Sequence, residues 1–267
     1  LIDSHVHLNR EEFAGEQSGV LQRARTAGVS MFLNVGYDLQ TSRESIALAE
    51  AEPDILATVG IHPHDAAQLA DAQGHITAAG RDLLAELEEL AAHPKVVAVG
   101  EIGLDYYRDL SPRPAQHAAL EAQLDLADRL ALPVVFHVRD AWADTLERID
   151  AYGPPARGGV LHSFSGDEAA VEWARQRGFL LGIGGPVTYK GSRLPTLVAQ
   201  AGLGMLLLET DAPWLPPVPY RGKRNEPGYL PHTLARVASE LQIDPEEIDR
   251  ATSATFRRFF DVPATGA

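Results

Sequence analysis

Cysteine is missing from the whole chain of 267 residues. Disulfides and thiolate metal sites are therefore excluded, and any metal must be held by His and carboxylate ligands. Positive charge is scarce too: 23 Lys and Arg stand against 37 Asp and Glu, a formal net charge of -14. Non-specific binding to polyanions runs on counterion release by Lys and Arg. A chain this acidic does not coat nucleic acid; such a substrate would be held at one local site, by metal ions or a small basic cluster. No run of about 18 uncharged apolar residues occurs, which excludes a transmembrane helix. No basic segment followed by an apolar one opens the chain, so no secretory signal is expected. Its first residue is Leu1 rather than Met, which leaves room for an initiator or short leader ahead of it. The expected location is the cytoplasm, with no membrane and no stable protein partner implied.

What the chain does have is 45% apolar residues, enough for a sizeable core. Short apolar runs alternate with longer helical patterns. Candidate strands are residues 1–7, 31–36, 55–61, 96–100, 133–137, 159–162, 179–183 and 205–209. Several are near-continuous Val, Ile and Leu runs, as parallel strands buried on both faces should be. Candidate helices are 18–27, 42–51, 81–92, 115–131, 141–150, 168–177 and 194–201, followed by 231–241 and 245–259. Asp244 and Pro245 start the last of these, as a capping residue and a first-turn proline. Eight strands each followed by a helix predict an α/β fold, a (β/α)8 TIM barrel, as a single domain over residues 1–267. The rival is a doubly wound open sheet, whose mark is a Gly-rich phosphate loop after the first strand. The first strand instead runs into His-Val-His-Leu-Asn9. Residues 65–80 and 212–229 are the longest expected loops, the second a plausible active-site rim.

Active sites of such barrels lie at the C-terminal ends of the strands. His5 and His7 close the first strand, and residues i and i+2 of a strand share a face. His62 and His64 follow strand 3, Glu101 follows strand 4, His137 and His162 close strands 5 and 6, and Asp211 follows strand 8. Of ten histidines six fall at these ends; His75, His93, His117 and His232 do not. Such a concentration with two carboxylates points to a metal site, since buried charge needs pairing that divalent cations supply. The angular order suggests two ions. His5, His7 and Asp211 come from adjacent strands, His137 and His162 from across the mouth, and Glu101 has two oxygens with which to bridge. Two ions about 3.5–4 Å apart activate a water and stabilise the entering and leaving oxygens of an in-line displacement. Mg, Mn and Zn all suit this ligand mixture.

Seven motifs then carry a resemblance. Asp3-Ser-His-Val-His7, Gly60-Ile-His-Pro-His-Asp65, Gly100-Glu-Ile-Gly-Leu-Asp-Tyr106, Val135-Phe-His-Val-Arg-Asp140, Leu161-His-Ser-Phe-Ser-Gly166, Leu208-Glu-Thr-Asp-Ala-Pro213 and Arg224-Asn-Glu-Pro227 resemble those of TatD-type deoxyribonucleases, within the metal-dependent amidohydrolase superfamily. The likeness runs to about Phe260. It implies a TIM barrel and a divalent-metal phosphodiesterase, commonly an exonuclease working from 3′ ends of DNA, with His5, His7, Glu101, His137, His162 and Asp211 as metal ligands. It further implies that Asp211 accepts a proton from the nucleophilic water.

His62 is expected as a catalytic contact to the phosphate or leaving group, with His64 as a substrate contact beside it. Glu209, two residues before Asp211 on the same strand, is expected to orient other groups or pair in a buried salt bridge, with direct catalysis as the alternative. Tyr220-Arg-Gly-Lys-Arg-Asn225 is the best anion site on an acidic chain, with Lys223 and Arg224 expected to bind phosphate. Arg139 can serve likewise or pair with Asp140. Tyr106, Tyr107, Phe164 and Trp214 lie in mouth loops where aromatic faces can stack unpaired bases. The expected substrate is DNA or RNA, as a single strand or frayed end. The alternatives are a small-molecule amidohydrolase or esterase, whose metals would polarise a carbonyl, and a non-enzymatic scaffold.

Overall fold

A computed structural model describes residues 1–263. The strands are β1 Ile2–Val6, β2 Met31–Val35, β3 Ile55–Val59, β4 Val96–Asp105, β5 Val134–Arg139, β6 Gly159–Leu161, β7 Leu180–Ile183 and β8 Leu206–Leu208. The helices are α1 Gln17–Thr26, α2 Leu39–Ala51, α3 Ala78–Ala91, α4 Arg113–Leu130, α5 Trp142–Tyr152, α6 Glu168–Arg177, α7 Leu194–Ala201, α8 Leu230–Leu241 and α9 Pro245–Phe259. The eight strands form one sheet in the order β1 to β8, the topology of a (β/α)8 TIM barrel. No helix among the described residues is long and apolar enough to cross a membrane.

By contact density the chain divides into two compact units, Leu1–Asn34 with the chain from Gly166 onward, and Val35–Ser165. In the first, β1 pairs in parallel with β2, and β7 with β8. The segment after β8 returns to the end of β1: Asp211 N donates to His5 O at 2.9 Å, and His7 N to Ala212 O at 2.9 Å. These two bonds join the last strand's exit to the first strand, the closure a barrel requires. Here α6 shows why its sequence is helical: Asp167 caps its start by accepting from Ala170 N at 2.9 Å. Arg175 and Arg177 sit in its last turn, and Gly178 ends it in a left-handed conformation. Asp244 caps α9 through Glu246 N, with Pro245 first in the helix as expected.

In the second unit β3 pairs with β4, β4 with β5, and β5 with β6, all parallel. Asp38 and Thr41 form a reciprocal capping box that begins α2 three residues ahead of the expected start. The expected loop 65–80 is largely structured. It holds a short turn of 3-10 helix at Pro63–Gln68, a bridge between Ala70 and Ile76, and the first residues of α3.

The main departure from expectation is β4, which runs ten residues to Asp105 instead of stopping at Gly100. Gly100 and Gly103 read as breakers in sequence, but here they let strands approach. Gly103 has φ 149°, and a Cβ built on it would lie 1.9 Å from His137 O. Gly103→Ala should therefore force β4 off β5 and lower stability by at least about 2 kcal/mol. A urea midpoint equal to that of the wild type would contradict this.

Candidate metal centre

The first unit gathers His5, His7 and Asp211. His5 lies on β1 and His7 just past its end, and their Nε2 atoms are 3.0 Å apart. Asp211 Oδ1 lies 3.7 Å from His7 Nε2 and 4.0 Å from His5 Nε2. Asp211 takes a positive φ of 53°, a region that Asp and Asn tolerate better than most residues. Two buried ties hold it there. Its own N–H goes to His5 O. Its neighbour Thr210 donates through N and Oγ1 to Asp3, at 2.9 and 2.6 Å. Burial pushes the Asp3 carboxyl up to about 7, against those hydrogen bonds. Trp214 closes one side, packed edge-on against His7 with ring centroids 5.0 Å apart. Glu209 is buried at the exit of β8 beside Gly182 of β7, where a Cβ would fall 2.1 Å from its carboxylate.

The second unit gathers Glu101, His137 and His162, with His62, His64 and Asp105. Glu101 Oε1 is 2.8 Å from His137 Nδ1 and 2.7 Å from His162 Nε2, and those two nitrogens are 3.4 Å apart. His137 Nε2 is 2.9 Å from Asp105 Oδ2, an oxygen also 2.9 Å from His64 Nε2. Burial opposes charge on His137, but the bonds to Asp105 and Glu101 outweigh it and raise its pKa. Burial likewise opposes an ionised Asp105, and its imidazole partners and Arg108 N pull its pKa far down instead. A ring whose two nitrogens both meet carboxylates is an imidazolium. The positive charge it carries between Glu101 and Asp105 marks where a cation's charge fits.

Donor spacing agrees. Two donors on one ion at about 2.1 Å, subtending roughly 90–110°, lie roughly 3.0–3.4 Å apart. The separations of 3.0 Å in the first group and 3.4 Å in the second fall in that range, the other pairs lying at 3.7 and 4.0 Å and at 2.7 and 2.8 Å. With carboxylates and imidazoles that give up a proton on binding a cation as the only ligand types, the donor set suits Mg, Mn or Zn.

His62 is also close, its Nε2 being 3.7 Å from Glu101 Oε1, and proximity alone would admit it as a ligand. Its other nitrogen decides otherwise. Nδ1 accepts the His64 backbone N–H at 3.1 Å, so a neutral ring carries its proton on Nε2 and has no lone pair there for a cation. Burial, then the charge of His137, hold its pKa well below the ordinary value, so the ring is neutral. His62 is thus a buried N–H donor, and His64 positions it.

The expected anion site fares differently. Arg224 donates to Glu12 O and to Glu16 Oε2 at 2.8 Å and lies over the Phe13 ring, so its fork is committed within the fold. Lys223 Nζ stands 5.6 Å from the Tyr220 ring. In the same motif Asn225 is buried and donates to Thr210 O and Trp214 O at 2.8 and 2.7 Å, while Glu226 meets Arg23 at 2.6 Å. Those residues fasten the loop beneath Asp211. Asp105 and Asp3, by contrast, were not singled out from sequence. The available signal for Asp105 was its place four residues past Glu101, once β4 is known to continue.

A family model described as TatD related DNase matches residues 2–261. The uncharacterized metal-dependent hydrolase YabD of Bacillus subtilis is 36% identical over 98% of this chain and 99% of its own. The 3′-5′ ssDNA/RNA exonuclease TatD of Cronobacter turicensis is 38% identical over 97% of each chain. The crystal structure of the TatD homologue YJJV from Escherichia coli matches with a TM-score of 0.88 and 32% identity, over 98% of both chains. The motifs, the strand-end histidines and these full-length likenesses agree: the chain belongs to the TatD related DNase family.

Proposed function

We propose that the chain is a metal-dependent nuclease that removes nucleotides from the 3′ ends of single-stranded or frayed DNA or RNA, acting in the cytoplasm as one catalytic domain over residues 1–267. The observation that carries it is two clusters of His and carboxylate groups, His5, His7 and Asp211 within reach of one ion, and Glu101 within 2.8 Å of both His137 and His162. The name of the Cronobacter relative supports the substrate and direction. His5, His7 and Asp211 would hold one ion, and Glu101, His137 and His162 a second. Such ions supply an activated water and neutralise charge on the phosphoryl oxygens.

The chain's own residues do the rest. Asp211 takes the proton from the attacking water, whose oxygen bonds to phosphorus as the bond to the preceding nucleotide's 3′ oxygen breaks. His62 donates its Nε2 proton in a hydrogen bond to a phosphoryl oxygen or to that departing oxygen. His64 fixes His62 through its backbone N–H and contacts substrate beside it. Lys223 is the better phosphate contact of the basic pair, since Arg224 would have to leave Glu16. Asp105 holds His137 and His64 in place.

A time course on oligonucleotides labelled at either end, with Mg, Mn and Zn in turn, tests the reading. The 3′ label should appear first as a 5′-mononucleotide. Internal fragments would indicate an endonuclease, and no degradation by metal-replete protein would remove the nuclease reading. Asp105→Ala should weaken metal binding at the second group about 10- to 100-fold, as loss of an orienting partner does. Competition with a chelating dye reads this directly, and an unchanged affinity would show that His137 needs no such support.

A further inference from the structure

Tyr107 is one of few large hydrophobic side chains left in the open among the described residues, at 60% exposure. Its neighbour Tyr106 is different. The Tyr106 hydroxyl bonds to His117 at 2.7 Å and to Asp144, and Arg113 lies over its ring. Tyr106 thus anchors the turn after β4 while Tyr107 projects from it. Two guanidinium groups attend that exposed ring, Arg139 at 4.8 Å and Arg108 at 5.9 Å from its centroid. Among the described residues neither Arg108 nor Arg139 has a carboxylate partner within ion-pair distance, although both are exposed on a chain with a net charge of -14. Of the acidic groups on the same two turns, Asp109 is taken by Arg113 at 3.4 Å, and Asp140 adjoins Arg139 in sequence without pairing to it. The corresponding arginine beside exposed Trp214 is Arg10, and Glu12 neutralises it at 3.2 Å.

The turn is rigidly joined to the ligand set. Asp105 Oδ1 accepts from Tyr107 N at 3.0 Å and Arg108 N at 2.7 Å, while its Oδ2 faces His137 and His64. Tyr106 N donates to Arg139 O at 2.9 Å, and Asp105 and Arg139 are partners in the β4–β5 register. One carboxylate therefore fixes both the exposed aromatic turn and two histidines of the candidate centre.

An aromatic face with unpaired guanidinium groups is what a single strand needs, a stacking surface for one base and cations for the flanking phosphates. We propose that Tyr107, Arg108 and Arg139 form a subsite for the body of a single-stranded nucleic acid, gripping a nucleotide other than those joined by the bond being cut. The inference rests on the nuclease reading above and adds to it where the substrate's remaining length is held. The subsite makes the chain prefer longer single strands to minimal diesters.

The test uses the metal-loaded full-length chain with a phosphorothioate dT12 that resists cleavage, read by fluorescence anisotropy, and thymidine 5′-(p-nitrophenyl phosphate) as a minimal diester. Tyr107→Ala keeps the backbone N–H that Asp105 needs, and should weaken dT12 binding about 10-fold. Tyr107→Trp should restore it. Arg108→Ala/Arg139→Ala should flatten the dependence of log affinity on log salt by about 1.4, two phosphates at about 0.7 each. All three variants should turn over the minimal diester within about twofold of wild type. The proposal is overturned if Tyr107→Ala and Arg108→Ala/Arg139→Ala bind dT12 as the wild type does, if the wild type binds none, or if binding and diester turnover fall together. A wild type that binds dT12 with these dependences yet cleaves no diester would sink the nuclease reading and leave the subsite standing. Normal cleavage with unchanged binding in the variants would do the reverse.

Discussion

Asp211→Asn should lower turnover of a single-stranded oligonucleotide by about 10²–10⁴-fold, the contribution typical of a positioned proton acceptor. The substitution is chosen because it leaves the fold little to respond to. Asn is isosteric with Asp and among the residues that accept the φ of 53° found here. The bond from residue 211 N–H to His5 O is a backbone one and survives, as does the Asp3–Thr210 tie beneath it. What changes is the chemistry. An amide cannot take up a proton from water at neutral pH, and it is a poorer partner for a cation between His5 and His7. A thermal melt in EDTA unchanged from the wild type, with activity in metal lost by two decades or more, is the expected pair of results. Activity within tenfold of the wild type would mean that another group takes the proton.

How far the sequence reached depends on whether a residue's partner was local. His5, His7, His137 and His162 were legible because each ends a short apolar run, and a barrel places such ends together. Asp211 and Glu101 followed from the same rule. Asp105 was not legible, since Gly100 and Gly103 look like breakers until the strand beside them is known. In the structure they are the reason β4 can run against β5 far enough to present Asp105. Arg224 shows a distant partner of the opposite kind. A Lys-Arg pair in a rim loop reads as an anion site. Its real partner Glu16 is 208 positions away, and nothing in the local pattern announces it. Arg108 and Arg139 gave a weaker sequence signal than Arg224, yet unlike it they have no carboxylate partner among the described residues. Charge in a sequence says which residues can bind phosphate; only pairing in the fold says which are available.

The two ligand groups differ in how they are built, and that makes the second large effect separable from the first. Glu101 and His137 sit in a web of carboxylates and imidazoles, His137 reaching Glu101 through Nδ1 and Asp105 through Nε2. His5 and His7 stand beside Asp211 with Nε2 atoms 3.0 Å apart, and the carboxylate of Glu209 also comes within reach of His5. Two imidazoles so close can share one proton, but both cannot be charged there without repulsion. Metal at the first group should therefore depend on the pair itself. His5→Ala/His7→Ala should cost one equivalent of bound divalent metal by elemental analysis and about 10³-fold in activity, the scale of several kcal/mol of transition-state stabilisation. Because two buried side chains are removed, His5→Gln/His7→Gln serves beside it, keeping volume and polarity while changing the donors. Chelation provides a further readout that does not involve turnover. Ligands that bind only the folded state raise its stability by mass action, so EDTA should lower the melting temperature of the wild type more than that of either double variant. If both variants keep two tightly bound ions, the division of ligands between the groups is wrong. If they lose one ion and keep full activity, the ion at His5, His7 and Asp211 is structural, and the chemistry belongs to the second group alone.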